Sequence, residues 1–330
     1  METVLSGIRP TGNLHLGNYF GAIVNFLKMQ EAYKCYFFIA DWHALTTHPD
    51  PKMLNDNVRN ILAEYLACGI DPDKATIYVQ SDVPEIAELY LLLNMQAYLG
   101  ELEKTVSFKE KARQNPNNIN AGLLTYPVLQ AADILIHNAD YVPVGKDQEQ
   151  HLEMTRNYAK RFNYKYGVDY FKEPKAFASD QQMIKIPGLD GSGKMGKSEG
   201  NCIYLIDEPK MIEKKIKGAL TDNGPEGENT PMPDYIKNLF TILETVSTPE
   251  VVAYYSNLWN TGSQKWYGNL KKQLAEDIIN ITAPIRERIN DIKNDNAYLA
   301  KVTKIGAEKA RESAQKTIKE VREIIGFKSF

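Results

Sequence analysis

The chain has little cysteine. Cys35, Cys68 and Cys202 stand far apart in 330 residues. That spacing offers no disulfide framework and no structural metal or cluster site, so three reduced thiols are expected. Long apolar runs are absent too: none reaches the roughly 18 residues of a membrane span. The N-terminus METVLSGIRP lacks a basic-then-apolar signal, so the expectation is a cytoplasmic protein with no membrane partner. No internal repeat or low-complexity tract is present. Nor is there excess positive charge: the formal net charge of −3 argues against a general nucleic-acid binder.

The charge is unevenly spread. Residues 264–330 hold 14 Lys and Arg against 9 Asp and Glu, a surplus of five, so the remainder carries −8. A basic quarter on an acidic body suits a phosphate-backbone surface and equally a solvated helix face. Otherwise 43% hydrophobic and 25% charged residues describe an ordinary globular chain, long enough for two domains.

Strand and helix patterns alternate from the start. Thr3–Ile8, Lys34–Ala40 and Ala75–Gln80 read as strands. Between them, Leu16, Tyr19, Phe20, Ile23 and Leu27, then Val58, Ile61, Leu62, Tyr65 and Leu66, recur at helical spacing. This β-α-β-α-β order predicts a parallel sheet with right-handed crossovers. A helix-rich insert is expected at 84–138. Tyr141–Val144 and a helix from about Gln148 to Phe162 then return to the sheet. The stretch 164–207 is loop-rich and closes on Asn201–Ile206 (NCIYLI), expected as a strand. Past Asp207 the pattern is helical. Leu270, Leu274, Ile278, Ile281, Ile285, Ile289 and Ile292 form one apolar stripe that Pro284 should kink. Ile318, Val321 and Ile325 mark a terminal helix.

Two segments point to nucleotide chemistry. Arg9-Pro10-Thr11-Gly12-Asn13-Leu14-His15-Leu16-Gly17-Asn18 follows the first strand and opens the first helix. That position suits an anion site at a helix N-terminus, or a simple turn. Residues 191–198, Gly-Ser-Gly-Lys-Met-Gly-Lys-Ser, match the G-x-x-x-x-G-K-[ST] loop of P-loop NTPases. A P-loop must run straight into a helix, and Glu199-Gly200-Asn201 followed by NCIYLI is a poor helix start. A third segment is the helix GLLTYPVLQAADILIHN, where Tyr126, Gln130 and Asp133 share a face. A buried Asp there needs a donor; on pattern alone it is a cap, a structural pair or a ligand contact.

Taken together, these segments resemble a known family. Pro10-Thr11-Gly12-x-Leu14-His15-Leu16-Gly17-Asn18 resembles the H-I-G-H signature of class I aminoacyl-tRNA synthetases. Lys194-Met195-Gly196-Lys197-Ser198 resembles their K-M-S-K-S loop, with Met183–Leu189 (MIKIPGL) as its lead-in. Gly196 stands where Ser is usual, and Arg9 where related enzymes often have Gln. Gly145-Lys146-Asp147-Gln148 with His151, Gly100–Glu103, Phe108–Lys111 and Asp41–Ala44 add further matches. The chain is identified as a member of the bacterial-type tryptophanyl-tRNA synthetases.

That resemblance implies a Rossmann-like α/β catalytic domain over 1–207 and an all-helical, anticodon-binding domain over 208–330, with insert 84–138 as a homodimer interface. It implies ATP-dependent activation of L-tryptophan and transfer to tRNA(Trp). Lys194, Lys197, His15 and Lys111 would serve catalysis. Arg9, Pro10, Thr11, His15, Gly17, Asn18, Gly145, Lys146, Asp147, Ile186 and residues 194–198 would hold ATP, whose phosphates would carry Mg²⁺ with no protein metal site. Leu5, His43, Tyr126, Gln130, Asp133, Val142, Val144 and Gln148 would hold tryptophan, with Asp133 accepting the indole N–H. Some members bind an iron–sulfur cluster through four C-terminal cysteines; with one Cys after position 68, none is expected here. Tyr126-Pro127-x-x-Gln130-x-x-Asp133 also resembles archaeal-type tyrosyl enzymes, which stay the nearest alternative, with a P-loop NTPase the more distant one.

Overall fold

The computed structural model describes residues 1–145, 148–177 and 185–327. Five parallel strands form one sheet in the order β3-β2-β1-β4-β5. They are β1 (Thr3–Ile8), β2 (Lys34–Ile39), β3 (Ala75–Val79), β4 (Tyr141–Val142) and β5 (Lys175–Ala176). The chain builds outward from β1 to β3, then returns to the other side of β1 with β4. Ligands in such sheets bind at the carboxyl ends of the strands, where the order reverses.

Alternation along the strands feeds two cores. Val4, Cys35, Phe37, Ile39, Ala75, Ile77 and Val79 face one cluster. Leu5, Tyr36, Phe38, Tyr78 and Val142 face the other. On the first face lie the helices Val24–Ala32 and Pro51–Ala67. Asp50 caps the latter, accepting from Lys52 N and Met53 N at 3.0 Å each, and Pro51 supplies a pre-set first turn. On the second face lie Glu85–Asn94, Ala121–Ile136 and Glu149–Tyr166.

The helices beyond residue 208 join both cores. Ile212, Ile236, Leu239, Leu270, Leu274 and Ile278 pack into the first. The last helix, Asn296–Ile325, crosses the β3 edge. Leu299 and Val302 enter the first core, while Ala310, Ala314, Ile318 and Val321 enter the second. At the crossing sits Gly306, where a Cβ would collide with the Ile77 carbonyl. Pro284 is carried inside the helix Tyr267–Asn294 without ending it.

One expectation is corrected, and two features went unanticipated. Asn201–Ile206 is not a strand. Tyr204 makes a single antiparallel bridge to His15, flanked by Leu16 N–H on the Ile203 carbonyl and Leu205 N–H on the Leu14 carbonyl. Its partner His15 is the N-cap of a helix that starts at Leu16, so the ladder stops after one rung; burial of Cys202, Ile203 and Leu205 holds it instead. The short strand β5 was hidden in a stretch read as loop, because two residues carry no period. The first helix holds a π turn over Tyr19–Ile23 directly after the His15 loop; such turns often mark functional sites.

Candidate active site

The carboxyl ends of β1, β2, β3 and β4 deliver the loops of one cleft. After β1, the chain turns at Gly12, whose φ of 108° is left-handed and favours glycine. It then presents His15 as the N-cap of the first helical turn, His15 N–H donating to Asn18 Oδ1 at 3.1 Å. Gly17 is required by close packing: a Cβ there would sit 2.9 Å from the His15 ring and 3.6 Å from Met195 Cβ. His15 is buried, and that burial, reinforced by the charges of Lys197 and Lys194, pushes its pKa down to about 4. A neutral ring therefore faces the cleft at physiological pH, a hydrogen-bonding group rather than a cation.

The loop at 191–198 lies across this turn. Lys197 Nζ donates to the Gly12 carbonyl at 2.7 Å. Burial lowers its pKa. Met195 is buried, its N–H on the Ile186 carbonyl at 2.9 Å, whereas Lys194 and Ser198 are exposed. After Ser198 no helix forms until Pro209, which removes the P-loop geometry. The space a side chain would take at Gly196 is filled by the Glu199 carboxylate, which also accepts from Ser198 Oγ at 2.9 Å. The departure at 196 thus has a local counterpart. Sequence reading missed the loop's organiser, Asn201. Its Oδ1 accepts Gly196 N–H at 2.8 Å and its Nδ2 donates to Asp190, Ser192 and the Lys194 carbonyl.

The second half of the cleft is built around Asp133, which is 1% exposed. Burial raises its pKa, and the bonds to its neighbours offset part of that. Both carboxylate oxygens have protein partners: His43 Nε2 at 2.8 Å on Oδ2 and Gln80 Nε2 at 2.7 Å on Oδ1. Gln80 was not anticipated. It follows β3 directly, and its Oε1 also accepts Trp42 N–H at 3.1 Å, tying together the ends of β2 and β3. The signal was a polar residue closing an apolar strand. Tyr126 packs 4.6 Å from His43 and 5.5 Å from His151, ring centre to ring centre. Lys111 Nζ lies 4.3 Å over the Tyr126 ring, a cation–π pair. Burial and the nearby Arg9 charge depress Lys111 to about 8. His151 in turn bonds Gln148 Oε1 at 2.9 Å and Ser107 Oγ at 2.8 Å.

Leu5, Val142 and Val144 pack on the same face as the Asp133 helix, and Ile186 is buried on the other. Lys146, Asp147, Met183 and Ile184 lie outside the described residues. A cavity of about 290 Å³ opens beside His43 and Tyr126, lined also by Trp42, Thr46, Tyr90 and Leu129; it does not include Leu5, Gln130, Asp133, Val142, Val144 or Gln148.

Buried polar atoms without partners are costly and rare. Among the described residues, four of the nine belong to this cleft: Arg9 Nε, His15 Nδ1, His43 Nδ1 and Gln130 Oε1.

This cleft has relatives. The sequence pattern of the tRNA synthetases class I (W and Y) matches residues 2–283. The chain belongs to that family. A tryptophan–tRNA ligase of Porphyromonas gingivalis is 65% identical over 328 residues, 99% of this chain and 100% of that one. The ligase of Rickettsia conorii is 42% identical over 333 residues, covering 99% of each. Among solved structures, the Campylobacter jejuni tryptophanyl-tRNA synthetase complexed with ADP and tryptophan superposes with a TM-score of 0.87. It is 34% identical and covers 98% of this synthetase and 100% of its own chain. The Aeropyrum pernix tyrosyl-tRNA synthetase, at 18% identity and a TM-score of 0.67 over 96% of this chain and 90% of its own, shares the fold.

Proposed function

We propose that this synthetase is a tryptophan–tRNA ligase. It activates L-tryptophan with ATP and transfers the aminoacyl group to tRNA(Trp). The observation that carries this reading is the full-length 65% identity to a tryptophan–tRNA ligase. In the first step a tryptophan carboxylate oxygen attacks the α-phosphorus of ATP; a P–O bond forms and pyrophosphate departs. In the second, a hydroxyl of the terminal adenosine of tRNA attacks the activated carbonyl and AMP leaves.

The site residues take roles that the geometry supports. Neutral His15, with Nδ1 unpartnered, hydrogen-bonds the phosphates of ATP. Lys197 leaves the Gly12 carbonyl, and with Lys194 meets the departing pyrophosphate, where negative charge develops. Arg9 lies near Lys111, which sits over the Tyr126 ring, and both suit the point where carboxylate and α-phosphate must meet; Pro10, Thr11, Gly17, Asn18, Gly145 and Ile186 complete the nucleotide side, to which resemblance alone assigns Lys146 and Asp147. Asp133 keeps His43 and Gln80 and still has lone pairs for the indole N–H, a carboxylate having about four acceptor sites. Gln130 Oε1 and Gln148 face the ammonium end. Most of the catalysis is then positioning and electrostatics. Mg²⁺ would reach the cleft on the ATP phosphates and would carry part of the triphosphate charge.

Surface features support the remaining partners. Leu91, Met95, Tyr98, Leu99 and Val106 expose apolar area on the insert, which suits a homodimer contact. Exposed Lys301, Lys304, Lys316 and Lys319 on the last helix suit a phosphate backbone, in keeping with a tRNA-binding 208–330 region. Among the described residues, no helix is long and apolar enough to cross a membrane. The test is amino-acid-dependent ATP–pyrophosphate exchange. Exchange with tryptophan and not tyrosine is expected; exchange with tyrosine alone overturns the reading.

A further inference from the structure

Beneath the His15 loop, on the sheet face away from Asp133, the helix Pro51–Ala67 breaks its own apolar pattern. Glu64 is 1% exposed, and Ile61, Leu62, Ala63, Tyr65 and Leu66 around it all enter the core. A carboxyl in that setting is costly unless something uses it. Its Oε2 accepts Leu14 N–H at 2.7 Å. Leu14 is fully buried between the Gly12 turn and the helical turn at Leu16, so its N–H belongs to neither ladder nor helix. The next residue is His15. Glu64 therefore holds the backbone that aims the His15 ring.

A second link runs to Lys197. Lys197 rests on the Gly12 carbonyl, two residues before Leu14, and the charges of Glu64 and Lys197 each act on the other group. Burial pushes the Glu64 carboxyl up to about 8; the Leu14 hydrogen bond and then the Lys197 charge draw it back. Lys293 from the helix Tyr267–Asn294 and Cys68, the C-cap of Glu64's own helix, are the other ionisable groups in range.

We propose that Glu64 is a positioning residue for adenylate formation, fixing the Leu14–His15 backbone and setting the resting place of Lys197. This rests on reading residues 9–18 and Lys197 as the ATP side of the cleft. Glu64 itself touches no substrate; it acts through the loop it holds.

Glu64→Gln keeps an acceptor for Leu14 N–H without ionising. Glu64→Leu keeps the bulk and removes the acceptor. Both are compared with the parent and with His15→Ala in tryptophan-dependent pyrophosphate exchange, alongside thermal unfolding. Glu64→Leu is expected to lower kcat about tenfold or more, because a buried N–H left without a partner displaces its loop. KM for tryptophan should stay within about twofold, since Asp133 lies on the opposite face. Glu64→Gln should recover kcat to within about threefold. A cooperatively folded Glu64→Leu enzyme with parental kcat overturns the proposal, as does a Glu64→Gln enzyme equally slow.

If Glu64→Leu does not fold, the pH profile of Glu64→Gln decides. Between about pH 7 and 9 the parental KM for ATP should rise about threefold more than that of Glu64→Gln, because an ionised Glu64 competes with phosphate for Lys197. Coincident profiles sink the idea. Parental kcat in His15→Ala would instead remove the ATP-side reading, and this proposal with it.

Discussion

Replacing Asp133 by Asn separates the two jobs that its carboxylate performs. In the protein it accepts Gln80 Nε2 at 2.7 Å and His43 Nε2 at 2.8 Å. Asn preserves both contacts. Its Oδ1 accepts from Gln80, and its Nδ2 donates to His43 Nε2 once that ring carries its proton on Nδ1, an atom with no partner. The fold therefore loses less than in a truncation, about 1–3 kcal/mol for one buried Nδ1 proton without an acceptor. What disappears is the negative charge that the indole N–H would meet. A hydrogen bond to a charged group contributes about 1.5–3 kcal/mol, so kcat/KM for tryptophan should fall about 10- to 150-fold. KM for ATP should hold within about twofold, because His15 and Lys197 approach from the other half of the cleft. Asp133→Ala is the contrast. It strands two buried donors at about 1–3 kcal/mol each, a large share of a domain's stability. Pyrophosphate exchange with each substrate varied, together with a melting curve, reads all four quantities. Equal losses toward ATP and tryptophan in Asp133→Asn, or an Asn variant as unstable as the Ala one, would refute the division of roles.

Other perturbations follow from close contacts and from burial. Gly17→Ala places a Cβ 2.9 Å from the His15 ring; exchange should fall about tenfold or more with a small change in melting temperature, as expected when a group proposed to hold the phosphates is misplaced. Gly306→Ala drives a Cβ into the Ile77 carbonyl; the expected result is a loss of soluble protein or a melting temperature lower by several degrees, with backbone displacement as the cause. Stability should drop as pH falls below about 6.5, since His15 and His137, held down at about 4 and about 3, stay neutral in the fold while the unfolded chain takes up protons. Urea titrations at about pH 7 and pH 5 would show it, and His137→Gln should shrink the difference. For Glu64, held up at about 8, the sign reverses: stability is lost as pH rises from about 4.5, and Glu64→Gln should melt higher than the parent near pH 8.

Much of this molecule was legible in one dimension. The period-two strands at Thr3–Ile8, Lys34–Ile39 and Ala75–Val79 and the helices between them announce a parallel sheet, because sequence-local spacing sets which face a side chain takes. The segments at 9–18 and 194–198 were recognisable because each carries particular residue types at fixed offsets along one short stretch. The turn at Gly12 and the close packing at Gly17 could be inferred in the same way. Asn201–Ile206 misled for a related reason: its apolar pattern fitted a strand, but a strand also needs a neighbour, and only the His15 loop was there.

What the tertiary structure alone decided are the contacts between residues far apart in the chain. Gln80 meets Asp133 across 53 positions, and Glu64 meets Leu14 across 50. Lys197 crosses 185 to reach the Gly12 carbonyl. The last helix closes the β3 edge at Gly306. Pattern along the chain fixes which residues are buried. Which buried donor finds which buried acceptor depends on how the elements pack, and here that pairing turns a familiar loop into a site.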